Sequence, residues 1–352
     1  MKLKHVVIGV GALCLLATGA NAAVRWSDES YGQVIARAQK ENKYVFIDFY
    51  ATWCGPCKRL DAVTFKDEKV GELLNSMIAV DWDAEKDPWI ATAKQYKVHA
   101  YPTLIVLGPD GKEIDRQLGY LDPAEFITTI DGFRKGIGTI ADLENQLRKN
   151  PNDVELMYKV GTKHADAGRS GDAAAVLTKV IGADPQNTKG RNSDILYMLG
   201  EAYYMDERYA DAKPYFDQLV KEYGTTDAGY EGMKRLAATE YKLGNNDAAV
   251  ATYWKSTEQK PNDPNVLNGF AWFCAQRKIG LDKALPVAQK AAELSGRDPG
   301  ILDTLAEVYF AMGDFDNAIK VEQEASAKDP DDKYMKEQVE KFKKAKAAQN
   351  SG

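Results

Sequence analysis

Between residues 26 and 136 the apolar positions alternate between two periods. Val34, Ile35 and Ala38 fall at helical spacing within residues 30–42, and residues 44–50 form a β-branched and aromatic run closed off by polar neighbours. The pattern predicts a helix followed by a buried strand. Another helix is expected after Cys54. Residues 77–82 and 103–107 read as further buried strands, Pro109-Asp110-Gly111 as a turn, and residues 113–119 as the strand that closes a hairpin. Asp122-Pro123 then opens a helix running to Phe133, with proline in the first turn, where its missing N–H leaves no bond unmade. This succession predicts an α/β domain over residues 23–137.

Beyond Gly136 the strand signals stop. Small residues Gly161, Gly200, Ala237, Ala271 and Ala306 recur at spacings of 39, 37, 34 and 35. Each is preceded by an apolar residue at one position (Val160, Leu199, Leu236, Phe270, Leu305) and at four (Met157, Leu196, Met233, Leu267, Leu302). Ala173, Ala212, Ala249 and Ala318 follow their anchors by 12, with Ala284 displaced by one, and Pro185, Pro261 and Pro330 follow by 24. This resembles the tetratricopeptide pattern and implies an all-α solenoid of about five helix pairs over residues 138–332, with residues 333–352 as a capping helix and tail. Such solenoids carry a groove lined by first helices. Tyr158, Tyr197, Tyr204, Tyr241 and Phe310, three or four residues from their anchors, and Trp272, beside its own, are candidates to line it. An aromatic groove suits a protein or peptide partner; the same rings could instead fill the core between helices.

The N-terminus has a third character. Lys2 and Lys4 precede an apolar run over residues 6–16, and Ala20-Asn21-Ala22 follows, the order of a cleavable signal peptide over residues 1–22. The run is shorter than the ~20 apolar residues of a spanning helix, and Leu13 before Cys14 argues against a lipid anchor. A periplasmic or secreted location is expected. Cleavage would leave 330 of the 352 residues, and losing Lys2 and Lys4 moves the formal charge from −6 to −8. That length suggests two domains. An acidic chain without a clustered basic face is not built for nucleic acid.

After cleavage three cysteines remain: Cys54, Cys57 and Cys274. A disulfide-stapled secreted protein would carry more, at even count, so one C-x-x-C pair with a distant singleton points to redox chemistry. Zinc would need a second pair of ligands, and the remaining His99 and His164 are 65 residues apart. No metal or cofactor is expected.

The stretch Val45-Phe46-Ile47-Asp48-Phe49-Tyr50-Ala51-Thr52-Trp53-Cys54-Gly55-Pro56-Cys57-Lys58, with the later Tyr101-Pro102-Thr103, resembles the active-site strand and helix and the cis-proline loop of thioredoxin. Thr64-Phe65-Lys66-Asp67 brings the first domain closer to periplasmic thioredoxin-like domains, including the C-terminal domain of the transmembrane thiol reductase DsbD. The resemblance implies a thioredoxin fold, a mixed sheet flanked by helices. Cys54, at a helix N-terminus where unpaired N–H groups favour a thiolate, is then the exposed attacking sulfur. Cys57, one turn further in and less exposed, is the resolving one, held at bridging distance by Gly55-Pro56. Asp48, in the middle of an apolar strand, would be buried, with its pKa raised so that it accepts the Cys57 proton; a structural aspartate bonded to backbone is the alternative. Pro102 should be cis and the Tyr101 backbone should pair with a substrate strand near Thr103, while Trp53 covers the disulfide. Many thioredoxins place a lysine near the buried aspartate; here Val80 and Asp81 stand on that strand. His99 reads as an exposed loop histidine and Cys274 as a thiol in helix packing.

Together these features imply an exported thiol–disulfide oxidoreductase. Gly-Pro between the cysteines favours a reductase or isomerase of protein disulfides over a strong oxidant. Disulfide-bearing envelope proteins would be its clients, a thiol electron donor at the membrane would re-reduce it, and the repeats would bind a protein or peptide. The alternative is a non-catalytic adaptor or chaperone for envelope protein assembly.

Overall fold

The computed structural model describes residues 23–349, so the expected signal peptide lies outside the described residues. Contacts divide the chain into two units that meet at Lys149 and Asn150, later than the boundary expected at residue 137. In the first unit α1 (Tyr31–Glu41) leads into β1 (Val45–Tyr50); α2 (Gly55–Ala62), a 3-10 turn at Thr64–Lys66 and α3 (Glu68–Asn75) lead to β2 (Ile78–Asp83). Then follow α4 (Trp89–Gln95), β3 (Thr103–Leu107), β4 (Glu113–Leu118), α5 (Pro123–Arg134) and α6 (Ile140–Lys149). The strands form a mixed sheet in the order β2-β1-β3-β4, parallel between β1 and β2 and antiparallel elsewhere. The expected α/β fold is present.

Helix starts follow local chemistry. Ser30 with Gln33 and Asp122 with Glu125 form capping boxes on α1 and α5, and Asp67 accepts from the Lys69 and Val70 N–H groups of α3, each satisfying amide donors that would otherwise be orphaned. β1 is buried almost throughout, and its alternation assigns the layers. Val45, Ile47 and Phe49 pack with Val34 and Ala38 of α1 and with Ala93 of α4. Phe46 packs on the other face with Leu60 of α2, Val70 and Leu74 of α3, and Phe126 and Ile130 of α5. Asp48, two residues after Phe46, therefore faces the layer that contains α2. Removing a fully buried ring such as Phe46 would cost about 3–5 kcal/mol.

Helix α4 escaped the periodicity because it has seven residues, no side-chain cap and little buried besides Thr92 and Ala93. Helix α6 is tied to the first unit by a distant bond: the Ile140 N–H donates to Oδ2 of Asp115 at 2.6 Å, and Asp115 is buried. That bond spans 25 residues and leaves no local periodic trace.

The second unit pairs α7 (Val154–Asp166) with α8 (Ser170–Ala183), α9 (Asn192–Met205) with α10 (Tyr209–Tyr223), and α11 (Asp227–Lys242) with α12 (Asn246–Gln259). α13 (Pro264–Arg277) with α14 (Leu281–Leu294) and α15 (Pro299–Ala311) with α16 (Phe315–Lys328) follow, and α17 (Lys333–Gln349) closes the run. The small anchors sit where paired helices cross: a Cβ on Gly200 would lie 2.5 Å from the Phe216 ring. Ala173, Ala212, Ala249, Ala284 and Ala318 are all fully buried. Ala284 is displaced by one because α13 runs one residue further past its anchor than its counterparts do. Pro185, Pro261 and Pro330 each fall two residues after a second helix ends, where proline cannot continue it.

Candidate functional site

Cys54 is the N-cap residue of α2, in extended backbone conformation, and its Sγ accepts the Cys57 N–H at 3.1 Å. It is bonded to Cys57 Sγ, with the Cα atoms 5.3 Å apart, and Pro56 sits in the first turn of the helix. Once the disulfide is reduced, the same N–H and the helix dipole favour a thiolate on Cys54. The expected difference in exposure between the two cysteines does not appear in their residue exposures. Both residues are 3% exposed, because Ala51, Tyr50 and Tyr101 pack over the pair.

Asp48 is 2% exposed and its Oδ1 makes no hydrogen bond among the described residues. Burial raises its pKa well above the usual carboxylate range, and the Asp61 and Asp81 carboxylates push the same way. Asp81 lies directly opposite Asp48 in the parallel β1–β2 register, and Leu104 of β3 lies opposite on the other side. Asp61, four residues after Cys57, borders a cavity of about 310 Å³ with Val24, Trp26, Phe65 and Lys66. The spacing of Asp61 from Cys57 was a readable signal; the place of Asp81 beside Asp48 needed the strand register.

The Tyr101–Pro102 peptide is cis. Pro102 and Thr103 are buried, and Thr103 pairs with Phe49 of β1, which brings the loop beside the cysteines, where Tyr101 packs. Trp53 is 65% exposed; its ring meets Tyr101 edge-on at 5.9 Å and its Nε1 donates to Glu85 Oε2 at 2.8 Å. Glu85 carried no motif that would have singled it out. Gly55 and Pro56 are exposed around this platform, and His99 is half-buried rather than exposed, with Nδ1 2.9 Å from the Lys97 carbonyl. Among the described residues no three His, Cys, Asp or Glu side chains converge to hold a metal ion.

A family model described as a thioredoxin-like domain matches residues 31–134, and one described as a tetratricopeptide repeat matches residues 164–234. A thioredoxin-like protein of Synechocystis is 36% identical over 112 residues, which span 32% of this chain and 98% of that protein. The chain belongs to the thioredoxin-like family. The thiol:disulfide interchange protein DsbD of Yersinia pestis is 34% identical over 94 residues, covering 26% of this chain and 16% of that protein. A solved putative disulphide-isomerase of Bacteroides thetaiotaomicron shares 34% identity over 32% of this chain and 94% of its own, with a TM-score of 0.30.

Beyond its thioredoxin-like domain the chain carries tetratricopeptide repeats, and their candidate groove aromatics divide. Tyr158, Tyr197, Tyr204 and Tyr241 are half-buried and Trp272 is exposed. Tyr204 and Tyr241 also pack against the helix core, the second of the two placements considered. Arginines that the sequence reading missed accompany them: Arg191 lies over Tyr158 at 4.5 Å and Arg277 over Tyr241 at 5.3 Å, while Arg235 Nε reaches the Tyr197 hydroxyl at 3.5 Å. The three arginines stand at different offsets from their anchors, so periodicity could not reveal them. Phe310 is half-buried as well, and its ring stacks on Phe342 of α17 at 4.7 Å. Cys274 is fully buried, and burial pushes its thiol up to about 12.

Proposed function

We propose that this protein is an exported reductase or isomerase of protein disulfides that works in the cell envelope. The observation that carries the reading is Cys54 at the N-cap of α2, bonded to Cys57 and beside the cis-Pro102 loop. In the reduced form the Cys54 thiolate attacks one sulfur of a client disulfide, forming a mixed disulfide and expelling the other client sulfur as a thiolate. Cys57 gives its proton to Asp48 and attacks Cys54 Sγ. The bond to the client breaks, the second client thiolate leaves, and the Cys54–Cys57 disulfide is formed. Two electrons pass to the client, and a thiol donor at the membrane must return them. Trp53 and the Tyr101 backbone form the surface on which a client strand lies, with Gly55, Pro56 and Thr103 at its edges. The charge, apolar run and A-x-A order of residues 1–22 support export, and the aromatic positions of the repeats support recruitment of a protein or peptide.

Insulin reduction by the mature chain tests the reading, with Cys54→Ser as control. Turnover by the native chain and none by the variant is expected. No turnover by the reduced native chain would leave the thioredoxin-like domain a binding module.

A further inference from the structure

Resting on the reading of Asp48 as proton acceptor, this inference concerns what fixes the pH at which that acceptor works. Asp48 is sealed from solvent with Oδ1 unbonded, so the fold offers no donor to Oδ1 that would stabilise its ionised form. The charges around it come from the elements packed on it. β2 supplies Asp81, its direct partner in the parallel ladder, and α2 supplies Asp61; β3 supplies Leu104, which has none. Paired residues on neighbouring parallel strands put their side chains on one face, with the strands about 5 Å apart. Asp28 acts in turn on Asp81, and Lys66 on Asp61. Three carboxyl groups therefore share one region, and the two nearer solvent ionise before the buried one. Partial burial, with Asp61 and Asp28 adding, pushes Asp81 up to about 6, so it carries its charge at neutral pH.

We propose that Asp81 is a positioning residue of the thiol–disulfide reaction: its carboxylate, exposed on the strand beside Asp48, holds the proton on the buried acid and so sets the pH above which Cys57 can be deprotonated. The residue acts through Asp48 and touches neither sulfur nor client. Resolution of the mixed disulfide then switches on at higher pH than a lone buried aspartate would allow.

Ellman's reagent reads this step in the full mature chain. Attack by Cys54 releases one thionitrobenzoate and leaves a second attached, which Cys57 expels when it closes the internal disulfide. The second release is followed against pH. For Asp81→Asn its midpoint should fall by about one pH unit, and for Asp81→Lys further, with the first release little changed and Asp81→Glu close to native. Asp81 is exposed, and circular dichroism of each variant checks that the fold is intact. An unmoved midpoint in Asp81→Asn, while Asp48→Asn removes the pH-dependent limb, would overturn the role of Asp81 and leave that of Asp48 standing. A limb that survives Asp48→Asn would overturn both.

Discussion

Two of the three cysteines among residues 23–349 and the third show how environment separates residues of one type. Cys54 and Cys57 are as little exposed as core residues, yet they sit at a helix N-terminus where charge on sulfur is stabilised. Cys274 lies in apolar helix packing, where burial keeps the thiol protonated to about 12. Brief alkylation of the reduced native chain should therefore label Cys54 and leave Cys274 untouched until denaturant is added, as mass spectrometry of the peptides would show. Cys274→Ala should leave turnover unchanged and lower stability by about 1–2 kcal/mol through the small cavity left behind. Labelling of Cys274 in the folded chain would contradict its packing.

At the scale of elements, the end of the solenoid holds the more consequential burial of charge. Asp303 and Glu307 on α15 and Glu322 on α16 are all buried, and Lys341 of α17 bonds Glu307 at 2.5 Å. Neither oxygen of Glu322 has a hydrogen-bonding partner of good geometry among the described residues. Desolvation, followed by Asp303 and Glu307, pushes Glu322 up to about 8, and desolvation with Glu307 pushes Asp303 up to about 6. The folded carboxyls keep their protons while the unfolded chain ionises near pH 4, so the unfolded state gains as pH rises through that window. Thermal unfolding should show the repeats losing stability from about pH 5 to about pH 8, and Glu322→Gln should flatten the decline. An equally steep decline in the variant would place its source elsewhere. In the same corner Phe342, from a helix predicted only as a cap, stacks on Phe310.

For the whole molecule, the first unit extends to Lys149, and the bond from Ile140 to Asp115 ties α6 into it. Residues 23–149 expressed alone should reduce insulin about as well as the full chain. A version ending at residue 137 would lose α6 and the Ile140 N–H bond to Asp115, and should melt earlier. With Cys57→Ser in both the full chain and residues 23–149, clients stay covalently attached to Cys54. If the repeats recruit them, the full chain should trap specific partners that the single unit misses, with gains of order 10²-fold available to a linked two-site binder. Identical sets of trapped proteins would refute recruitment.

The strands and their order, the C-x-x-C pair at a helix start and the stacked repeat were legible in the sequence, because each is written in short-range periodicity or in a contiguous motif; α4 and α6 were not. β1 was readable as a buried strand and Asp48 as a buried acid for the same reason. Only the folded chain shows that Asp81 lies beside Asp48, that Tyr101 and Tyr50 pack on the cysteine pair, that α6 belongs with the first unit, and that Phe342 stacks on Phe310. Each of these depends on strand register or on contacts between elements remote in sequence, and a local pattern of apolar and polar residues carries neither.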